Sequence, residues 1–277
     1  MKCETFYLKD FYPQVGADGC NARLDTYLPD PITEMEGWAD KKRPCIVICP
    51  GGGYHFVSQR EAEPIALKFL ETGYNVFVIT YSVAPHRFPQ QLLEVAAAME
   101  LIYQNAEEWH CDVTKVAIVG FSAGGHLAAH YSNAYDCPEV RRVFADSKPV
   151  QASILSYPVI TSDRAYAHQG SFSNLVGEYP AEDDTRFSCN KLVSSKTPPA
   201  FLWHTSEDAS VPVENSLLYA AALSRQKIPF ELHIYPYGWH GLSTADGMTN
   251  EEASLNMRVG RANEWLDAAK RWLRTIW

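Results

Sequence analysis

Residues 115–135, KVAIVGFSAGGHLAAHYSNAY, begin as a continuous apolar run and continue as small and apolar residues at helical spacing. A continuous apolar run is typical of a strand that is buried on both faces of a sheet. The pattern from Ala123 onward predicts a helix, and Ser122 lies between the two. The glycines on either side of this serine leave room for a sharp strand-to-helix turn that exposes its hydroxyl.

The same alternation of strand and helix patterns extends over most of the chain. Further strands are predicted at residues 44–49, 74–81, 153–157, 200–205 and 230–235. Further helices are predicted at residues 59–72, 92–108 and 217–226, and over most of 251–277. Strands that alternate with helices form a mostly parallel sheet with helices on both faces. The sequence therefore predicts the α/β class, with functional groups gathered beyond the carboxyl ends of the strands.

The chain has 277 residues and no internal repeat, low-complexity tract or long charged linker. A single domain over residues 1–277 is the simplest interpretation, because this length suits one large α/β domain. Residues 1–43 carry short alternating stretches broken by proline and glycine, which predict antiparallel edge strands. Residues 162–195 are the one insertion large enough to cover a site, and we interpret them as a lid or a substrate-binding insertion.

Composition and charge exclude several classes of partner. The formal net charge is −9, whereas binding to nucleic acid or to an anionic membrane needs a basic face. The sequence shows no apolar leader and no uninterrupted apolar stretch long enough to span a membrane. The seven cysteines are scattered and odd in number, as expected for free thiols in a reducing compartment. We therefore predict a cytoplasmic protein that acts on a small molecule, and the sequence leaves a homo-oligomer open.

Ser122 is the predicted nucleophile. The pattern Gly-x-Ser-x-Gly arises by chance roughly 0.1 times in a chain of this length, so the match alone would be weak. The predicted strand before Ser122 and the predicted helix after it are the setting that the motif requires. A helix that begins at this point also directs its first backbone N–H groups toward developing negative charge.

Three consecutive glycines follow the first buried strand, in the sequence CPGGGY of residues 49–54. Such a run permits backbone conformations in which N–H groups point at a ligand oxygen. Gly52 and Gly53, with the amide of Ala123, are the predicted oxyanion hole. A phosphate-binding loop is one alternative, although neither Gly-Lys-Ser/Thr nor G-x-G-x-x-G follows. A plain structural turn is the other.

An acid and a histidine should follow the nucleophile at later strand ends, in the order Ser, Asp, His. His240 follows the last predicted strand in the sequence GWHG and is the predicted base. Asp208 is the favoured acid, with Glu207 and Asp163 as alternatives. If Asp208 fixes the tautomer of His240, the other ring nitrogen can take the proton of Ser122. Neither a metal nor an organic cofactor is needed for this chemistry.

Most of the nine histidines should be bystanders. His126 and His130 are four residues apart on the helix after Ser122, but no glutamate follows His126 directly, so the zinc-protease signature is absent. The histidines in loops or at strand ends are candidates for contact with a substrate, namely His55, His86 and His204.

Taken together, these motifs resemble those of a known family. CPGGGY at residues 49–54, GFSAGGHLA at 120–128, TPPAFLWH at 197–204 and GWHG at 238–241 look like stretches of small bacterial carboxylesterases of the α/β-hydrolase superfamily. The most similar subset is that of acetyl-xylan esterase-like proteins and sugar esterases. The resemblance runs from about residue 44 to the C-terminus, and Pro50 stands where many lipase and esterase relatives carry a histidine.

The resemblance implies an α/β-hydrolase fold and a serine esterase mechanism. The site residues that it implies are the triad Ser122, Asp208 and His240 and the oxyanion-hole residues Gly52, Gly53 and Ala123. It also implies short acyl esters as substrates, such as acetyl groups on xylo-oligosaccharides. Five aromatic residues near strand ends are candidates for stacking on sugar rings, namely Tyr54, Phe56, Tyr81, Tyr157 and Trp239. Tyr54, Tyr157 and Trp239 are favoured among them, although packing in the core or at the rim is the more frequent role of such residues.

Two other functions are weighed against the esterase. A serine peptidase of the prolyl-oligopeptidase kind shares the order of the triad, but such enzymes usually carry a second, gating domain for which these residues leave no room. A non-catalytic binding protein with a hydrolase fold is the other alternative. The presence of all three triad residue types in the required order argues against it.

Overall fold

The computed structural model describes residues 1–16, 19–181 and 184–277. The strands are β1 (Lys2–Tyr7), β2 (Arg23–Leu28), β3 (Arg43–Cys49), β4 (Asn75–Thr80), β5 (Cys111–Phe121), β6 (Ala152–Ser156), β7 (Ala200–Thr205) and β8 (Phe230–Tyr235). They form an eight-stranded sheet in the order β1-β2-β4-β3-β5-β6-β7-β8.

Most pairings in this sheet are parallel. β1 pairs antiparallel with β2, and β2 pairs antiparallel with β4, at one edge. All the pairings from β4 across to β8 are parallel. The mostly parallel α/β sheet predicted from the sequence is therefore confirmed.

Helices cover both faces of the sheet. They are α1 (Leu8–Phe11), α2 (Glu63–Leu70), α3 (Gln90–Gln104), α4 (Ser122–Ala134), α5 (Pro138–Val143), α6 (Gln169–Val176), α7 (Cys189–Leu192), α8 (Glu214–Arg225), α9 (Glu251–Leu255), α10 (Met257–Gly260) and α11 (Glu264–Ile276). The core on one face includes α3, α4 and α8, and the core on the other includes α2 and α11. None of the helices within the described residues has the length and apolar character needed to cross a membrane.

β3 shows why the apolar runs of the sequence are continuous. Val47 packs in the core on one face of the sheet, and Ile46 and Ile48 pack in the core on the other face. None of the three side chains has exposed surface. Because successive side chains of a strand point to opposite faces, a strand covered on both faces is apolar at every position.

The C-terminal region departs from the prediction of mostly one helix over residues 251–277. It contains α9, α10, a 3₁₀ turn at Arg261–Asn263 and α11. Asn256 separates α9 from α10, because its backbone is extended and its side chain accepts hydrogen bonds from the amides of Arg258 and Val259. Asparagine is a favoured N-cap for this reason, and it is the local signal that the helical periodicity did not reveal.

The strand order reverses between β3 and β5. The chain passes from β3 to β4 on one side and returns to β5 on the other side of β3. In the register of β3 and β5, Cys49 lies beside Gly120, so the two strands end at the same edge. Ligands bind to open α/β sheets at such switch points. The glycine run after Cys49 and Ser122 after β5 therefore meet where a site is expected.

Residues 162–195, the insertion singled out in the sequence, contain α6, α7 and a 3₁₀ turn at Thr185–Phe187, with residues 182–183 outside the described part. Phe172 and Phe187 place their side chains in the core on the face that includes α4. The insertion is therefore packed onto the rest of the fold through apolar side chains.

Candidate active site

Ser122 begins α4 directly after β5. Its backbone is left-handed, with φ +53°, a conformation that is strained for a non-glycine residue and that tends to occur at functional sites. The turn brings α4 very close to the end of β3. A Cβ added at Gly124 would lie 2.1 Å from the carbonyl oxygen of Cys49 and 2.2 Å from that of Pro50. Only glycine fits this approach, which explains the small residues after the serine.

Ser122, His240 and Asp208 are linked by hydrogen bonds. His240 Nε2 lies 2.8 Å from Ser122 Oγ, and His240 Nδ1 lies 2.6 Å from Asp208 Oδ2. Asp208 follows β7 and His240 follows β8, so each side chain comes from a different strand end. The fold thus brings together the three residues that the sequence predicts as a triad.

Asp208 has further partners. Its Oδ1 accepts hydrogen bonds from the backbone amides of Ser210 and Val211, both at 2.9 Å. His204 Nε2 lies 3.3 Å from Oδ2 of the same carboxylate. Burial acts to raise the pKa of Asp208, but hydrogen bonds from its two histidine partners and from the Val211 amide outweigh it and hold this pKa below its usual value. The carboxylate is therefore charged near neutral pH and fixed in orientation.

The glycine run at residues 51–53 forms a tight turn beside Ser122. The amides of His55 and Phe56 both donate to Gly52 O, at 2.9 and 3.1 Å. Gly52 has φ +127°, and a Cβ there would lie 2.0 Å from Phe56 O, so the turn requires glycine. Gly53 O accepts a hydrogen bond of 2.9 Å from Asn174 Nδ2 on α6. The amides of Gly52 and Gly53 donate to no acceptor among the described residues, so they are available to a ligand oxygen.

A pocket of about 440 Å³ opens over Ser122. Its walls come from the glycine run, the loop of His240 and several polar side chains, and the lining residues are Gly52, Gly53, His55, Phe56, Ser58, Arg60, Glu61, Ser122, His168, Gly170, Asn174, Ser210, His240 and Gly241. Burial, with the nearby imidazole of His240, lowers the pKa of His168. His168 is therefore a neutral hydrogen-bonding group in this wall near neutral pH.

The two alternative acids have hydrogen-bond partners other than His240. Glu207 is exposed, and its Oε2 accepts a hydrogen bond of 3.1 Å from the Gly238 amide. Asp163 Oδ1 accepts from the amide of Ala165 in its own turn. Asp208 is therefore the carboxylate that the fold brings to the base.

The three histidines considered for substrate contact differ in position. His55 lines the pocket, whereas His86 does not. His204 has no exposed surface, and its Nε2 lies 2.9 Å from Val211 O as well as near the carboxylate of Asp208. His204 therefore supports Asp208 from within the core and is not a substrate contact.

Of the five aromatic residues considered for stacking on sugars, Phe56 is exposed and lines the pocket, whereas Tyr81 is buried and the three favoured residues do not line it. Tyr54 is 1% exposed, and its hydroxyl lies 2.8 Å from His126 Nδ1. Tyr157 is 2% exposed and donates a hydrogen bond to Glu61. Trp239 is exposed but lies outside the lining of the pocket. The physical reason is that aromatic residues at strand ends also fill the core, where a buried phenol needs a polar partner.

Several residues of the pocket were missed by sequence reasoning. Arg60 and Glu61 lie in a 3₁₀ turn at Gln59–Glu61, inside a stretch predicted as helix. His168 and Asn174 come from the insertion, to which no pattern assigned roles. The sequence offered one signal for these residues: the charged pair Arg60 and Glu61 follows soon after the glycine run at residues 51–53.

Two buried histidines, His126 and His130, lie on α4 after Ser122. Burial lowers the pKa of His126 to about 4 and that of His130 to about 3. His126 Nε2 lies 2.9 Å from Phe187 O, and its Nδ1 faces the hydroxyl of Tyr54. Since Nε2 faces a carbonyl, this nitrogen carries the proton and Nδ1 accepts from Tyr54. His126 therefore connects α4 to the residue after the glycine run and to the insertion.

A mostly parallel α/β sheet with a serine on a strained strand-to-helix turn, and with an aspartate and a histidine at later strand ends, defines the α/β-hydrolase class. Comparison with known proteins narrows this class. The sequence profile of the BD-FAE family matches residues 24–223. The chain belongs to the BD-FAE family.

Two curated relatives carry xylan-related names. The chain is 42% identical over 220 residues to the endo-1,4-beta-xylanase B of Butyrivibrio fibrisolvens, an alignment that covers 75% of this chain and 34% of that protein. It is 33% identical over 202 residues to the acetylxylan esterase of Xylanibacter ruminicola, which covers 71% of this chain and 40% of that protein. The chain thus spans well under half the length of either relative.

A solved structure matches the chain over nearly its whole length. The acetyl ester-xyloside bifunctional hydrolase from Caldicellulosiruptor lactoaceticus aligns with a TM-score of 0.83 and 36% sequence identity. The alignment covers 99% of this chain and 96% of that one. The resemblance to acetyl-xylan esterase-like members of the α/β-hydrolase superfamily is therefore confirmed.

Proposed function

We propose that the chain is a serine carboxylesterase in which Ser122 is the nucleophile, His240 the general base and Asp208 the residue that orients it. The observation that carries the proposal is the contact of 2.8 Å between His240 Nε2 and Ser122 Oγ at the wall of a pocket. A general base must lie within hydrogen-bond reach of the proton that it removes, and this pair meets the condition. The esterase names among the relatives support ester hydrolysis as the reaction.

In this mechanism His240 carries the proton from Ser122 to the departing alcohol, and Asp208 stays charged. The charged carboxylate of Asp208 accepts the Nδ1–H of His240, so Nε2 carries the lone pair that takes the proton of Ser122. Oγ attacks the ester carbonyl, and His240 returns the proton to the departing alcohol while the acyl group stays on Ser122. Water then attacks the acyl-enzyme and gives a proton to the same nitrogen. His240 passes this proton to Ser122 Oγ as the bond between Oγ and the acyl group breaks, which releases the acid and restores the serine.

The oxyanion of each tetrahedral intermediate lies against backbone amides in this proposal. Gly52 and Gly53 supply donors from the glycine run, and Ala123 supplies one from the first turn of α4, where helical amides lack an intrahelical acceptor. Amides fixed by the fold stabilise the developing charge without reorganising, and the loss of one such donor usually costs about a hundredfold to a thousandfold in kcat.

Acetyl and other short acyl esters of sugars are the proposed substrates. The acetylxylan esterase of Xylanibacter ruminicola and the bifunctional hydrolase of Caldicellulosiruptor lactoaceticus support acetylated sugars by their names. The pocket volume of about 440 Å³ suits a small ligand. Polar side chains that can bond to sugar hydroxyls line it, namely His55, Arg60, His168 and Asn174.

The described part of residues 162–195 is, in this proposal, a fixed wall of the substrate site within one catalytic domain of residues 1–277. The buried rings of Phe172 and Phe187 and the hydrogen bond from Asn174 to Gly53 O support a fixed wall rather than a mobile lid. Asn174 therefore sets the distance between this wall and the oxyanion donors.

The test compares p-nitrophenyl acetate, butyrate and octanoate with a prolyl-p-nitroanilide for the wild type and Ser122→Ala. Ser132→Ala is the matched control, because Ser132 lies in the same helix, donates to Ala128 O and does not line the pocket. We expect acetate to be the best substrate and Ser122→Ala to lose at least about a thousandfold in kcat, with Ser132→Ala active.

Ester turnover that survives in Ser122→Ala would overturn the proposal. Faster cleavage of the anilide than of the esters would replace it with a peptidase function. Acetate release from acetylated xylo-oligosaccharides tests the sugar substrates, and its absence with full p-nitrophenyl acetate activity would remove them alone.

A further inference from the structure

A buried carboxylate that the triad does not use lies beside the nucleophile. Glu61 is 3% exposed and ends the 3₁₀ turn Gln59–Glu61, where it lines the pocket together with Ser122. Both of its oxygens are already hydrogen-bonded by the protein. Oε2 accepts from the Gly51 amide at 2.8 Å, and Oε1 accepts from the hydroxyl of Tyr157 at 2.6 Å. A carboxylate with both oxygens engaged in this way is suited to holding structure rather than to moving protons.

The first contact holds the start of the glycine run. A Cβ added at Gly51 would lie 2.8 Å from Glu61 Oε2 and 3.0 Å from the Cβ of Ser122, so this backbone passes between the carboxylate and the nucleophile. The next two residues, Gly52 and Gly53, have positive φ values of +127° and +62°. Glycines in such conformations gain flexibility at no steric cost, so the direction of their amides depends on anchors outside the run. The bond from the Gly51 amide to Glu61 is such an anchor.

The second contact reaches the loop of the base. The hydroxyl of Tyr157 donates to Glu61 and accepts a hydrogen bond of 2.9 Å from the amide of Ser243, three residues after His240. The ring of Tyr157 packs edge-on against the imidazole of His240, with centroids 5.1 Å apart. Burial, followed by the nearby charge of Glu61, raises the pKa of Tyr157 well above its usual value. Tyr157 therefore remains a phenol that donates to the carboxylate.

Backbone strain makes an anchor for Tyr157 necessary. Tyr157 follows β6 with φ +36°, a conformation that a bulky residue adopts only when its surroundings fix it. Its ring also packs between Phe121 and Trp203, with centroid distances of 5.9 and 5.0 Å. The ring contacts fix the plane of the phenol, and the bond to Glu61 fixes the hydroxyl that holds Ser243.

We propose that Glu61 is a positioning residue that sets the oxyanion donors and the general base together, one through Gly51 and the other through Tyr157. This inference rests on the proposed esterase function of the same site. Removing the carboxylate loosens both parts at once, and the transition state depends on them more than the bound substrate does. The loss therefore falls on kcat more than on KM.

The experiment measures kcat and KM on p-nitrophenyl acetate for Glu61→Gln, Tyr157→Phe and the double variant, with Glu63→Gln as the matched control. Glutamine keeps the shape of Glu61 but cannot accept both bonds. Phenylalanine keeps the ring against His240 and removes only the hydroxyl. Glu63 is exposed and lies two residues further along the chain, outside the pocket.

We expect Glu61→Gln to lose roughly 10- to 100-fold in kcat, with KM changed by less than about threefold. Tyr157→Phe should lose less, because it leaves the bond to Gly51 intact. The double variant should lose less than the product of the two single losses, since the residues act through one network. Affinity for a boronic acid that mimics the tetrahedral intermediate should fall in parallel with kcat/KM, and Glu63→Gln should match the wild type.

A kcat for Glu61→Gln equal to that of the wild type, or a loss carried by KM alone, would overturn the inference. If Glu61→Gln does not fold, Tyr157→Phe decides, and an unchanged kcat in that variant overturns it equally. Ser122→Ala separates this inference from the proposed function. An inactive Ser122→Ala beside a fully active Glu61→Gln removes only the role of Glu61, whereas an active Ser122→Ala removes the esterase mechanism itself.

Discussion

His204 Nε2 lies 3.3 Å from Asp208 Oδ2, the oxygen that also accepts a hydrogen bond of 2.6 Å from His240. One carboxylate oxygen therefore contacts two imidazoles, one in the core and one beside the pocket. His204 is held in turn by Ser216 Oγ at its Nδ1, at 2.8 Å. The orientation of His240, the proposed general base, thus depends on a histidine that has no exposed surface.

Replacing His204 should make ester hydrolysis more sensitive to acid. Burial acts to raise the pKa of Asp208, and the hydrogen bond from His204 is the largest of the effects that lower it. In His204→Phe this pKa moves upward, so Asp208 becomes protonated as the pH falls and no longer orients His240. The ratio of kcat/KM between variant and wild type should therefore be smaller at about pH 5 than at about pH 8.

Ser216→Ala is the control for this prediction, because it removes the partner of His204 Nδ1, whereas Nε2 keeps its contacts with Val211 O and Asp208 Oδ2. Its ratio to the wild type should be the same at both pH values. A constant ratio for His204→Phe would show that His204 does not act through the protonation of Asp208.

The acid of the triad can be identified with an isosteric pair of variants. Asp208→Asn should lose roughly ten-thousandfold in kcat, because an amide stabilises the wrong tautomer of His240. Glu207→Gln removes the charge of the neighbouring residue, whose Oε2 accepts a hydrogen bond from the Gly238 amide, and should stay within a few-fold of the wild type. The measurement is kcat on p-nitrophenyl acetate, with circular dichroism to verify folding. A larger loss in Glu207→Gln than in Asp208→Asn would reverse the assignment.

The elements that local patterns define could be predicted from the sequence. The parallel strands read as continuous apolar runs because both faces are covered, as Val47 and Ile46 show. Ser122, Asp208 and His240 could be predicted as a triad because each follows such a run, and the carboxyl ends of parallel strands meet at one edge. The order along the chain then distinguishes their roles.

Long-range contacts could not be predicted in this way. Glu61 and Tyr157 are 96 positions apart, and neither belongs to a local motif, so only the folded chain shows that they share a hydrogen bond. Tyr54 was a candidate for stacking on a sugar because it lies near the end of a strand. Its hydroxyl instead lies 2.8 Å from His126 Nδ1 in the core. Position along the chain gives the end of a strand but not the direction in which the side chain points.

The turn at the nucleophile should tolerate no side chain at Gly124. A Cβ there would lie 2.1 Å from Cys49 O and 2.2 Å from Pro50 O, and both are backbone atoms of the segment that carries the proposed oxyanion donors. Gly124→Ala should lower the free energy of unfolding by roughly 2–3 kcal/mol and displace Ser122 from its base. Urea unfolding and kcat on p-nitrophenyl acetate measure the two effects.

Gly247→Ala is the matched control, since its nearest neighbour would be Ser254 Oγ at an ordinary 3.7 Å. It should leave both quantities close to those of the wild type. Unfolding of Gly124→Ala at the urea concentration of the wild type would mean that α4 can move away from β3 without cost.

The buried histidine His130 should make the protein less stable as the pH falls below neutral. Burial lowers its pKa to about 3, whereas in the unfolded chain the pKa is about 6.5. Between these values the unfolded chain binds more protons than the folded one, so the free energy of unfolding falls by up to about 1.4 kcal/mol per pH unit. His130→Phe removes this contribution and can keep the packing, because the imidazole already stacks on Phe88 with ring centroids 5.7 Å apart. Urea unfolding at about pH 7, 6 and 5 should show that the free energy of unfolding falls less steeply for His130→Phe than for the wild type. His55→Gln, at an exposed position, should follow the wild type. An equal fall of this free energy in all three proteins would mean that His130 gains access to solvent and protons without unfolding.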